Sequence, residues 1–292
     1  MALTIHLGAH KTASTHLQQT LQALAPAMLA AGIHYSGPQQ WRGGLARLGP
    51  LLGAGMAPGR RRGRLRWRLD RIAETWPGVV ISEENILGSL RREGLMGPGN
   101  LVYPDAVPRL RRLLGMLRHR PATICLAVRE PTAFLTSAFS MQLQGGVELD
   151  FGAYLAGFDP VALSWAGLAR RLLAVRGVAR LVVWRYEDYA ALRPHILAQF
   201  LPQALVAQAG DPGAAVVGLS QPAWRHLLAQ GVGQPGPEVA RLAQEAKALF
   251  PRGPAAPPLA LFDPATVARS VAAYDEDLER LAALPGVALL TP

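Results

Sequence analysis

The run Gly8-Ala9-His10-Lys11-Thr12-Ala13-Ser14-Thr15 joins a segment that reads as a strand to one that reads as a helix. Small residues there let the backbone approach a ligand, the first N–H groups of the helix point at an anion, and Lys11 adds a mobile positive charge. The hydroxyls of Thr12, Ser14 and Thr15 offer further bonds to a terminal phosphate without a metal. The strict nucleoside-triphosphatase turn is not matched, because Gly8 lies only three residues before Lys11 and His10 stands directly before the lysine. The same eight residues also suit an ordinary capped turn, so the motif alone leaves both readings open.

Two further groups sit where strands end. Glu83 and Glu84 follow Gly78-Val79-Val80-Ile81-Ser82; a carboxylate there can take the proton of an acceptor hydroxyl, or serve only as a charge at a helix N-terminus. Arg129 follows Thr123-Ile124-Cys125-Leu126-Ala127-Val128, with Pro131 suited to open the next helix. It reads either as an anion contact or as a surface ion pair with Glu130 or another neighbour. Only Lys11 and Lys247 among the 30 basic residues are lysines. A compact ammonium in a turn is then a specific choice in a chain that otherwise uses guanidinium.

The elements that must carry these groups follow from periodicity. Leu3-Thr4-Ile5-His6-Leu7 alternates like a strand. From Ser14, Leu17, Leu21, Leu24 and Met28 recur at helical spacing, with Pro26 kinking or dividing the segment and Gly32 as its stop. Ile33-His34-Tyr35 reads as a short strand, and Arg180-Leu181-Val182-Val183-Trp184 as a buried one leading into Arg185-Tyr186-Glu187-Asp188. Residues 60–71, dense in arginine, read as a solvated loop entering a helix near Leu65, or as a surface for an acidic substrate, headgroups or RNA. Short apolar strands alternating with helices predict an α/β fold, a three-layer sandwich with a central parallel sheet and helices on both faces. Ligands of such sheets bind beyond the carboxyl ends of the strands, where Lys11, Glu83, Glu84, Arg129, Glu187 and Asp188 all fall. The chain reads as one domain over 1–292, more helical from about 195, with the Pro-rich link 251–258 as a loop inside it.

Composition narrows the classes. The 292 residues allow one to two ordinary domains, half of them are hydrophobic, and glycine and proline together number 30 and 24, too few for a low-complexity or collagen-like chain. Cys125 is the one cysteine, which excludes an internal disulfide or a zinc cluster and points to a reducing, cytoplasmic setting. No apolar run reaches the roughly 18–20 residues of a bilayer span. Leu21 to Ala31 has some of the character of a signal-peptide core, but Pro26 interrupts it and strand-and-turn sequence precedes it. The formal charge of +10 favours anionic partners of any kind.

On these residues the chain resembles the sulfotransferases, in particular the bacterial branch related to glycan sulfotransferases. Ile5 to Gln18 is similar to that family's first cofactor motif, which implies a P-loop-like fold and places Lys11, Thr12, Ala13, Ser14 and Thr15 on the 5′ phosphate of 3′-phosphoadenosine 5′-phosphosulfate (PAPS). Ala13 stands where the family has glycine; its methyl group fits if that residue keeps a negative φ. Arg129-Glu130-Pro131 with Ser137 resembles the 3′-phosphate motif, and an arginine at a strand end can converge with a serine two turns along the helix on one phosphate. Ser82-Glu83-Glu84 resembles the Ser-x-Glu segment, implying Glu84, or second Glu83, as the base, and Arg185 to Asp188 is similar to a segment that supports the cofactor turn.

The resemblance implies a cytoplasmic enzyme that moves a sulfuryl group from PAPS to an acceptor hydroxyl on a glycan or glycolipid and releases adenosine 3′,5′-bisphosphate (PAP), with no metal. The competing readings are a P-loop small-molecule kinase and a non-catalytic nucleotide- or nucleic-acid-binding protein. Nucleic acid is not the expected partner, since Trp67 is the one aromatic residue among the arginines. The segment 60–71 is a candidate contact for a lipid-linked glycan or a membrane periphery.

Overall fold

The computed structural model describes residues 2–43, 48, 52, 53, 59–147, 149–213 and 217–292. The strands are β1 (Ala2–His6), β2 (Ile33–Ser36), β3 (Gly78–Ser82), β4 (Met96–Gly97), β5 (Leu101–Val102), β6 (Ala122–Val128), β7 (Val178–Arg185) and β8 (Val287–Leu290). β4 and β5 make a two-stranded antiparallel ladder, and the other six form one sheet in the order β2-β3-β1-β6-β7-β8. Every neighbouring pair in it is parallel.

An all-parallel sheet needs both faces covered, and the side chains alternate accordingly. Ile5, Ile81, Ile124, Leu126, Leu181 and Val183 enter one apolar cluster, while Val80, Cys125, Ala127, Val182 and Trp184 enter another on the opposite face. This is the α/β three-layer arrangement expected from the alternation of strands and helices. Pro26 does divide the first helical segment, into Ser14–Ala23 and Ala25–Ala30, and Gly32 ends it in the left-handed region.

Two expectations are corrected. The arginine-rich segment does not stay a loop as far as Leu65, because a helix already begins at Gly59 and runs to Thr75. Arginine is a good helix former, and Leu65, Leu69 and Ala73, buried on one side, anchor the element to the core. The C-terminal third is not wholly helical either. After the helix Pro264–Ala282 the chain adds β8, which pairs with β7 from Leu181↔Val287 to Trp184↔Leu290. Four partly exposed residues at a sheet edge carry little hydrophobic patterning of their own.

The topology sets the location of the site. From β1 the chain crosses to β2 and β3 on one side, and from β6 to β7 and β8 on the other. The carboxyl ends of β1 and β6 therefore open a crevice where the connections diverge, the usual ligand position in such sheets.

Candidate functional site

A cavity of about 800 Å³ occupies that crevice. The turn after β1 forms its floor. Beyond His6 the chain stays pinned to β6, with Leu7 and Ala9 N–H donating to the carbonyls of Cys125 and Ala127 at 3.0 Å each. Gly8 turns at φ 47°, and a Cβ there would meet Ser14 Oγ at 2.5 Å and His6 Nε2 at 2.9 Å, so no other residue fits. Lys11 (φ 65°) and Ala13 (φ 61°) are both left-handed around Thr12, a backbone alternation that aims successive N–H groups to one side.

The condition set for Ala13 fails: its φ is positive, and the methyl group is strained rather than tolerated. Ala13 is also the N-cap of the helix Ser14–Ala23, which has no side-chain cap. Alanine is a poor N-cap, and the first N–H groups of this ten-residue helix face a cavity lined by Lys11, Ala13, Ser14, Thr15 and His16. Thr12 departs from expectation. Its hydroxyl donates to the carbonyl of Ala9 at 2.5 Å and its side chain is buried off the cavity wall. Ser14 Oγ lies 3.5 Å from the same carbonyl.

Arg129 and Ser137 both line the cavity. Arg129 does not pair with Glu130. One guanidinium nitrogen donates to the carbonyl of Lys11 at 2.8 Å, the group lies 4.3 Å over the Tyr186 ring, and its buried Nε has no partner. Glu130 is committed elsewhere, as cap of the helix Pro131–Gln144 through Thr132 and Ala133 N–H, and as acceptor from Ser270. The Arg129 backbone is fixed from behind by Trp165, whose indole N–H donates to its carbonyl at 2.8 Å. Asp277, buried, holds Trp165 and Ala166 N–H.

Arg252 also lines the cavity, with Nε donating to the Leu219 carbonyl. Burial, and then Arg129, Lys247 and Arg252 in turn, bring the Lys11 pKa down to about 8. Among the described residues no carboxylate pairs with Lys11, Arg129 or Arg252. The cavity thus gathers positive charge on the half-buried Lys11 and Arg129 and on the exposed Arg252, with no carboxylate in ion-pair reach among the described residues.

The two acidic candidates separate. Glu83, 1% exposed, lies off the cavity wall. It accepts two bonds from Arg42 at 2.9 Å each and two from Asn85, through the backbone N–H at 3.0 Å and the side-chain amide at 2.6 Å. Glu84 lines the cavity. It accepts from Arg42 at 2.6 Å and from Gln18 at 2.8 Å. Burial opposes its charge, but Arg42, His10 and Gln18 together hold its carboxyl below the usual range, so it is ionised at neutral pH.

Sequence reasoning missed Arg42, His10, Tyr186 and Arg252. His10 lines the cavity and is fixed by Tyr103. The Tyr103 oxygen accepts from His10 N–H at 2.9 Å and lies 2.9 Å from Nδ1, while Nε2 lies 3.4 Å from Asn85 Oδ1. Burial lowers its pKa, which leaves a neutral ring with Nε2 as the donor. A lone histidine beside the lysine was the available signal; for Arg42 and Arg252, distant in sequence, there was none. Asp188, expected beyond the end of β7, lies 3.5 Å from Arg185 Nε and does not line the cavity.

No family model and no curated protein matches the chain. Among solved structures it is similar to a sulfotransferase from Alicyclobacillus acidocaldarius at 16% identity and a TM-score of 0.42, over 87% of this chain and 98% of that one. Among the described residues no group of three or more His, Cys, Asp or Glu is arranged to hold a metal, and no helix is long and apolar enough to cross a membrane.

Two outcomes follow from this geometry. Ala13→Gly removes the left-handed strain and raises stability by about 1 kcal/mol in a denaturant melt, without weakening anion binding. Glu83→Gln removes the charge that Arg42 pairs with and turns one of the two acceptor oxygens into an NH2 donor, and lowers stability by about 2 kcal/mol in the same assay.

Proposed function

We propose that the protein is a sulfotransferase that takes a sulfuryl group from PAPS to an acceptor hydroxyl, on a glycan or a glycolipid. The observation that carries this reading is that one cavity holds the cations Lys11, Arg129 and Arg252, none of them paired with a carboxylate among the described residues, together with the ionised carboxylate of Glu84. The cations ask for a ligand bearing more than one anionic group. The orphaned Arg129 Nε and the uncapped helix at Ser14 fit phosphate oxygens.

Lys11, the N–H groups of residues 12–15 and the Ser14 and Thr15 hydroxyls would hold the 5′ phosphate; Arg129, Ser137 and Arg252 would hold the 3′-phosphate. When bound, PAPS supplies the sulfuryl group and a phosphate as leaving group. Glu84 accepts the proton of the acceptor hydroxyl, oriented for that by Gln18 and Arg42. Lys11 and the helix N–H groups stabilise the negative charge that grows at their end of the cavity. His10, as a neutral Nε2–H donor, adds a hydrogen bond between the two. The kinase reading lacks its strict turn, and the other carboxylate on the wall, Glu130, is spent on a helix cap.

Glu84→Gln should lower sulfuryl transfer from labelled PAPS about 10²–10⁴-fold while changing the dissociation constant of PAP less than threefold. Equal loss of both would remove Glu84 as the base.

The pH dependence follows from Lys11. Its free-state pKa of about 8 is raised when an anion binds, so binding takes up a proton between the two values. PAP affinity should be level below about pH 8 and fall by up to tenfold per unit above it in calorimetry. Lys11→Met should abolish the slope.

A further inference from the structure

The net charge of this chain is confined to one region. Residues 1–69 contain nine Lys and Arg and no Asp or Glu, whereas residues 70–292 contain 21 and 20. Six of the nine, Arg60, Arg61, Arg62, Arg64, Arg66 and Arg68, stand on the helix Gly59–Thr75. Residues 59–64 are exposed without a break, and the helix packs on the core only from Leu65 onward.

At 100° per residue, Arg60, Arg64, Trp67 and Arg71 form one stripe, on the side away from buried Leu65, Leu69 and Ala73. Trp67 is 67% exposed in the middle of it. The acidic residues of the helix, Asp70 and Glu74, are both engaged by Arg118, and among the described residues nothing pairs with Arg60, Arg61, Arg62 or Arg64.

We propose that this helix docks the protein on an anionic lipid bilayer. A convex helix surface with a shallow hollow at Arg60, Gly63, Arg64 and Trp67 meets a plane of headgroups well, whereas a single-stranded nucleic acid requires a groove with successive aromatic platforms. Arginines on such a helix bring charge to an acidic leaflet, and their stems and one tryptophan settle at the depth where aromatic rings are favoured. The core-facing leucines keep the helix folded and oriented before it meets the membrane. Arg68 lies 5.0 Å over the Trp41 ring, next to Arg42 on the cavity wall, so docking brings the acceptor side of the site near the lipid surface.

The test is sedimentation of the full chain with vesicles of phosphatidylcholine alone and with 30% phosphatidylglycerol, in 0.1 and 0.5 M NaCl. Binding is expected to the anionic vesicles only, lost at high salt, at least tenfold weaker for the variant combining Arg60→Gln, Arg61→Gln and Arg64→Gln, and several-fold weaker for Trp67→Ala. Both variants should keep the wild-type melting temperature and PAP affinity, so a failure here is separate from failure of the sulfotransferase reading. Equal binding to neutral vesicles, no loss in the triple variant, or tighter binding to oligo(dT) or alginate than to the anionic vesicles would overturn the proposal.

Discussion

Like charges brought together in a partly desolvated crevice repel one another and lose hydration, and the crevice at the ends of β1 and β6 holds the half-buried Lys11 and Arg129 in that condition, with the exposed Arg252 beside them and no carboxylate in ion-pair reach among the described residues. Burial first, and then the Arg129, Lys247 and Arg252 charges, bring the Lys11 pKa down to about 8, so its charge is disfavoured in the free protein. Much of the surrounding structure acts to keep these groups in place. Parallel pairing sets Lys11 and Arg129 on adjacent strand ends, the Lys11 carbonyl receives the Arg129 guanidinium, and the Tyr186 ring supports that guanidinium from its face.

Behind this layer lies a framework of acids, with Asp277 buried and Glu130 half-buried, whose oxygens accept hydrogen bonds. Asp277 fixes the start of the helix Trp165–Leu173 and through Trp165 the Arg129 carbonyl. Glu187 accepts from Glu130 N–H, and Glu130 caps the helix that brings Ser137 to the wall. Negative charge near the cations is thus spent on backbone N–H groups, which preserves the positive field of the cavity. On the acceptor side the balance reverses: Arg42 neutralises Glu83 and leans on Glu84, so one carboxylate builds the wall and the other is presented at it.

The parts legible in sequence were those set by local patterning. β1, β3, β6 and β7 announced themselves as short apolar runs, and their ends located Lys11, Glu83 and Glu84, and Arg129 in advance. The break at Pro26 and the stop at Gly32 were equally local. The choice between Glu83 and Glu84 was not, because it depends on Arg42, some forty residues away, and on which side of an extended strand end faces the cavity. Arg252 was hidden in a Pro-rich segment that only the packing of the last three helices brings to the wall. Nor could a spacing rule show that Ala13 sits at positive φ or that the Thr12 hydroxyl turns back to Ala9, since both are settled by how the turn closes against β6.

The central claim is that these cations are a bisphosphate site, and calorimetric titration tests it most directly. PAP without metal should bind the wild-type protein more tightly than ATP with magnesium, and Arg129→Ala should weaken PAP by about tenfold or more, the scale of one charged phosphate contact. Preference for ATP with magnesium, or an unchanged PAP affinity in Arg129→Ala, would contradict the account.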